Sequence, residues 1–170
     1  MIFGSMSKIV RVVANLVFGF TLVFGFYVVL HGHLTPGGGF QGGAVMASGV
    51  ALLIIAYGVI EMGRHMNAKG FSVIESLGLL GFIGAALLGL ISGTRVFFAN
   101  WLAGNEKWVI FAKMPEPLGS NPGNLNTGGI LPVMSLAVGM EVLAGISLIV
   151  IFMASGFYIE RYGGARKEVE

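Results

Sequence analysis

Glu141 is the only formally charged residue between Ile130 and Ile159. A carboxylate in so apolar a run is expensive to bury. It is retained where a proton or cation is relayed, or where it fixes an interface between packed helices. Its helical neighbours four before, three after and four after are Ala137, Ala144 and Gly145, a small face suited to packing on protein rather than lipid. Both readings stand at this point: a relay residue, or a buried carboxylate holding a subunit contact. Glu75 immediately precedes a second apolar run and is expected in the first turn of a helix. There an acidic side chain favours the helix dipole, and that reading is preferred to a place on an ion path. Glu61 precedes Arg64 by three residues and His65 by four, the spacing of an interfacial charge pair on a helix.

His31 and His33 stand two apart in the stretch HGHLTPGGGFQGG, which covers His31 to Gly43. An extended segment would point them to one side, a helix to different faces. Zinc-type ligation needs further donors, and the chain has no Cys and no Asp, so a metal site is not expected. A hydrogen-bonded structural role, or a position at the mouth of a proton path, suits the pair better. Pro36 fixes its own φ and biases Thr35 away from helix. Thr35 is placed to bond free backbone groups of the turn. Gly37, Gly38, Gly39, Gly42 and Gly43 around Phe40 permit left-handed backbone and close approach of neighbouring chains. The stretch therefore reads as a sharply shaped connection between two helices.

Several activities are excluded. Without cysteine there is no disulfide scaffold, thiolate-bound cluster or thiol nucleophile, and without aspartate no Ser/His/Asp triad can be assembled. The glycine run lacks the Gly-Lys-Ser/Thr that would make it a phosphate loop. A net charge of +2 on 170 residues with no basic stripe is not the footprint of a nucleic-acid binder.

The elements that must position these residues are membrane helices. The chain is 55% hydrophobic and 11% charged, with a mean hydropathy of +0.86; a soluble domain carries about a quarter charged residues. Val12–Leu30, Phe40–Ile60 and Ser76–Thr94 contain no charge at all, and about 20 apolar residues suffice to span the hydrocarbon core. Runs of this length cross lipid as helices. The expectation is an all-α integral membrane protein with four spans, at about 8–31, 40–62, 72–98 and 130–157, in a single domain over 1–170. The first is read as a retained span rather than a signal peptide, because its apolar stretch is too long and no small-residue cleavage site follows. Lys8, Arg11, Arg64, Lys69, Arg161, Arg166 and Lys167 fall on one side of such a topology and Arg95, Lys107 and Lys113 on the other. The positive-inside rule then places both termini in the cytoplasm.

Gly43, Ala47 and Ala51 line one face of the second span, and Gly78, Gly81 and Gly84 one face of the third. Small residues at such spacing let helix backbones approach, so a tightly packed unit joined by helices of other subunits is expected. Asn15 is expected to bond a neighbouring helix. Phe97, Phe98, Trp101, Trp108 and Phe111 suit an interfacial aromatic belt. The 99–129 loop is broken by Pro115, Pro117 and Pro122; Asn124, Asn126 and Thr127 could cap the last span, with Pro132 in its first turn. The tail from Glu160 to Glu170 is expected to be solvated and frayed.

HGHLTPGGGFQGG, followed by AVMASGVALLIIAYG, resembles the signature of the MnhB (MrpB) family of Mrp-type multisubunit sodium/proton antiporters: Gly32 and His33, a short step, Pro36 through Phe40, then Gly42 and Gly43. The resemblance implies a small multi-pass subunit of the plasma membrane. It would sit beside larger antiporter-like subunits, with related subunits in archaeal membrane-bound hydrogenases. It implies no catalytic residue, redox centre or cofactor, and Na+ or H+ as the ions moved. The lipid bilayer and other subunits are its expected partners. It implies a role in scaffolding the sodium-handling module and lining part of its path. A purely structural assembly role is the alternative. No role for Glu141 is carried over from the resemblance; that residue rests on the cost of a carboxylate within a span.

Overall fold

The computed structural model describes residues 6–34, 36–91, 96–102 and 128–167, with side chains through 156. It is all-helical over these residues, and four helices have the length and apolarity to cross a membrane. Thr35, Trp108, Phe111, Lys107, Lys113, Arg95 and the proposed caps at 124–127 lie outside the described residues.

Helix α1 (Lys8–Leu30) begins where Ser7 caps it, accepting the Val10 amide, and ends at His31. The turn closes through Gly32 and Leu34, whose amides donate to Val29 and His31 carbonyls. Gly37, at φ 83°, then starts helix α2 (Gly38–Tyr57). Only glycine takes that left-handed conformation without strain. The two helices meet backbone to backbone. A Cβ on Gly42 would lie 2.5 Å from the Gly25 carbonyl oxygen, and one on Gly38 would collide with Gly32. The glycine stretch is thus the rigid crossing that the sequence implied.

The second apolar run is not one helix to residue 62. Gly58, at φ 85°, breaks it, and a short α3 (Val59–His65) follows. Helix α4 (Ala68–Gly89) starts earlier than the expected 72, because the Asn67 side chain accepts the Lys69 amide at 3.0 Å and caps it there. It also stops earlier than 98: its last turn loosens at Leu90–Ile91, and Phe98 takes φ 60°. Helix α5 (Leu131–Lys167) carries Pro132 in its first turn and runs on through the segment expected to fray, as far as Lys167.

Spatially the long helices form a row: α1 on α2, α2 on α5, α5 on α4, with α3 bridging α2 towards α5. Gly39 sits against Ser135 and Val138, and Gly43 against Gly139 and Val142, so α2 and α5 run parallel. Gly43 and Ala47 are buried and Ala51 half-buried, as the small-residue face requires. At the glycine end, Ala85, Leu102 and Ile130 form a buried cluster with Trp101 and Met134 against it. Asn100 secures this corner, its Oδ1 accepting the Ile130 amide at 2.8 Å. Phe97 packs edge-on to Phe98, and Phe98 against Phe82 of α4. Asn15 meets its expected neighbour: its amide donates to the Tyr57 hydroxyl of α2 at 2.7 Å.

Candidate functional site

Glu141 and Glu75 come together at the seam between α4 and α5. The seam is antiparallel. A Cβ on Gly78 would lie 2.7 Å from the Ala137 carbonyl oxygen, 2.8 Å from the Glu141 nitrogen and 2.9 Å from the Glu141 Cβ. One on Gly145 would lie 3.3 Å from Glu75 Oε1. Each helix offers a glycine to the other's glutamate: Gly78 takes the backbone and Cβ of Glu141, and Gly145 takes the Glu75 carboxylate. With a rise of about 1.5 Å per residue, the two acidic positions are staggered by about 5 Å along the seam. Both side chains are half-buried. Among the described residues neither carboxylate is matched by a basic side chain.

Glu75 is not in a first turn. With α4 starting at Ala68, it stands seven residues inside the helix, and the first turn holds no acidic side chain. The helix-dipole reading of Glu75 is therefore corrected. Its level on α5 is that of Gly145, well within the Leu131–Gly156 span. The Asn67 cap decides this, and the sequence offered it only as one polar residue among several. The small face of α4 divides: Gly78 is buried, Gly81 lies 3.5 Å from the Ala137 Cβ by the same measure, and Gly84 meets nothing within 4 Å. Glu61 makes no side-chain pair in the described structure; its carbonyl instead receives the His65 Nδ1–H at 3.0 Å.

The histidines lie elsewhere. His31 Nδ1 donates to the Tyr27 carbonyl at 3.0 Å, and His33 Nδ1 to the Leu30 carbonyl at 3.2 Å. A carbonyl only accepts, so each Nδ1 carries the proton. The rings are 6.5 Å apart between centroids, with Tyr27 4.1 Å from His31. His33 Nε2 is buried and has no hydrogen-bond partner among the described residues. Between the histidines, Gly32 packs on Ser135, six residues from Glu141, or about 9 Å along α5. The structure does not bring His33 to the carboxylates. A cleft of 270 Å³ lies between the two places, lined by the Gly37–Gly39 turn, Phe82, Met134, Ser135 and Val138. Among the described residues no group of three or more His, Cys, Asp or Glu could hold a metal ion.

A left-handed glycine turn locks two spans by backbone contact, and the model of the domain related to the MnhB subunit of Na+/H+ antiporter matches residues 9–148, the part that contains both turn and seam. The chain belongs to the MnhB family. An uncharacterized protein of Methanocaldococcus jannaschii is 34% identical over 144 residues, covering 85% of this chain and 51% of that protein. A Na(+)/H(+) antiporter subunit of Bacillus subtilis is 37% identical over 55% of this chain and 62% of its own length. In the solved structure of the membrane-bound sulfane sulfur reductase, an archaeal respiratory membrane complex, one chain superposes with a TM-score of 0.67 at 32% identity. That match covers 91% of this MnhB-family chain and 60% of the other. The chain thus spans between half and two thirds of the length of these three proteins. With its four apolar helices, this MnhB-family member is a multi-pass membrane protein.

Proposed function

We propose that the chain is a non-catalytic membrane subunit of an ion-translocating complex, of the antiporter or archaeal respiratory type its relatives come from. In this reading it scaffolds the sodium- or proton-handling module of the plasma membrane and lines part of the path with Glu141 and Glu75. Larger antiporter-like subunits would flank it, and the end carrying Lys8, Arg64 and Lys69 would face the cytoplasm. The observation that carries the reading is the reciprocal seam, in which two glutamates within the spans each meet a glycine of the facing helix, Glu141 through its backbone and Cβ and Glu75 through its carboxylate. Hydrocarbon makes a bare carboxylate costly, so acidic side chains are kept within spans where they serve a path or a contact. A staggered pair would let a proton or cation pass from one to the other. The cleft beside Val138, three residues from Glu141, gives an approach from the glycine end. In this reading the histidines would take the mouth position, beside the glycine turn.

The test is ion translocation by the intact host complex in sealed vesicles. Glu141→Gln and Glu75→Gln are expected to leave the subunit assembled and to lower translocation, with Glu141→Asp retaining part of it. Assembled complexes with unchanged transport in both Gln variants would refute the path and leave the scaffold. In the purely structural alternative, bulky replacements at Gly38 or Gly43 break the complex while Glu141→Gln is silent or disrupts assembly.

A further inference from the structure

At the end of the row opposite the glycine turn, a second cluster is built from α1 and α2. Lys8, Arg11 and Asn15 recur at the spacing that puts them on one face of α1. The Arg11 guanidinium lies over the Tyr57 ring, 5.8 Å from its centroid. The Tyr57 hydroxyl accepts from the Asn15 amide at 2.7 Å, which leaves its own O–H free to donate in another direction. The Met6 amide donates to the Ala56 carbonyl at 2.9 Å and clamps the start of α1 to the end of α2, so the arrangement is held from both sides. Arg11 is half-buried, and its Nε is shielded and has no hydrogen-bond partner among the described residues. Among the described residues no carboxylate pairs with Arg11 or Lys8. The nearby acid in sequence, Glu61, is exposed on α3 and makes only the backbone bond to His65.

Apart from the Asn15 side-chain oxygen, this cluster presents donors and positive charge: guanidinium, ammonium and phenolic O–H. What it lacks is an anion with several oxygens. A cation stacked on an aromatic face is pre-oriented and partly desolvated, and a guanidinium fork matches a phosphate in a two-pronged contact. The same face of α1 continues into the membrane through Val12, which is 66% exposed, then Gly19, where nothing lies within 4 Å, then Val23, 73% exposed. Below the polar cluster there is accordingly an open apolar track of the kind an acyl chain follows.

We infer that Arg11, Lys8 and Tyr57 bind the phosphodiester of an anionic phospholipid, whose acyl chain lies along Val12, Gly19 and Val23. The guanidinium takes the two non-bridging phosphate oxygens, the phenol donates to one of them along a free lone pair, and Lys8 supplies the outer charge. The site is independent of the carboxylate seam, and its lipid ties the α1–α2 pair to one leaflet.

The test is native mass spectrometry of the purified chain and of its host complex, titrated with phosphatidylglycerol and with phosphatidylcholine. The wild-type chain should retain one phosphatidylglycerol in preference to phosphatidylcholine. Arg11→Gln should weaken that retention about tenfold, the scale of one lost charge-assisted bond. Tyr57→Phe, which keeps the cation and its ring, should weaken it less. Arg64→Gln, which alters charge at the same end but outside the cluster, should leave it unchanged. If Arg11→Gln does not fold, the contrast between Tyr57→Phe and Arg64→Gln decides. Equal retention in all variants, or equal loss in Arg64→Gln, overturns the site in favour of diffuse surface charge. Displacement of the lipid by excess inorganic phosphate overturns the lipid as occupant and leaves a soluble anion. A host complex that carries no such lipid while the isolated chain does overturns it in favour of a partner's carboxylate.

Discussion

Replacing Gly42 by alanine tests whether the glycine crossing holds α1 to α2. The new Cβ would lie 2.5 Å from the Gly25 carbonyl oxygen, 2.5 Å from Val29 Cγ2 and 2.9 Å from the Val29 nitrogen. A carbon meets a carbonyl oxygen without strain at about 3.4 Å, so the shortfall is about 0.9 Å. Two of the three obstacles are backbone and cannot rotate away. The helices must part by nearly that distance, and a radial gap of about 0.5–1 Å forfeits a quarter to a half of each dispersion contact along the crossing. Forced overpacking costs about 1–3 kcal/mol. Alanine also favours helix over glycine by about 1 kcal/mol, which obscures the loss in a single variant. Gly84→Ala removes that ambiguity: it gains the same propensity on α4 and meets nothing within 4 Å. Subtracting one variant from the other cancels propensity and leaves the clash. Equilibrium unfolding of the purified chain in mixed micelles should place Gly42→Ala about 2–3 kcal/mol below Gly84→Ala. Equal stability of the two would refute the claim that backbone contact at this glycine sets the approach of α1 to α2.

Two further outcomes follow from local backbone features. Gly58→Ala places a side chain at φ 85° and ψ 156°, a region essentially reserved for glycine, and should cost about 1–3 kcal/mol in the same unfolding measurement, whereas Gly63→Ala, which among the described residues meets nothing within 4 Å, should be neutral or stabilising. Asn100→Ala removes the acceptor of the Ile130 amide and the donor to the Gly128 carbonyl. It should cost about 1–3 kcal/mol, because two polar backbone groups are left without partners, and amide exchange should rise first at Ile130.

The four spans were legible because a run of twenty apolar residues has few alternatives in any solvent. The Asn15 bond was legible because an amide in hydrocarbon must find a partner, and the face of Gly43 and Ala47 was legible from its four-residue period. Other features depended on choices that the sequence leaves balanced. Gly58 and Gly43 look alike on paper, yet one breaks a helix and the other packs inside one; only the surrounding backbone separates them. Whether α4 starts at Ala68 or at Ser72 turned on a single Asn67 hydrogen bond, and that choice moved Glu75 from a helix end into the span. Its meeting with Gly145 required the register of two antiparallel helices joined by a long loop, which no local pattern encodes. Arg11 read as a topogenic charge, and its seat on Tyr57 became visible only when α1 and α2 were laid together.

The row order of the helices has a mechanical consequence. α1, α2 and α5 are latched to one another through glycines at several levels, whereas among the long helices α4 packs on α5 alone. Apart from the corner at Phe98 and Leu102, a neighbour that pulls on α4 therefore works against one helix seam, and that seam carries Glu75 and Glu141. Leverage applied to the outermost helix would bear first on the seam of the two acids, ahead of the glycine contacts among the other long helices.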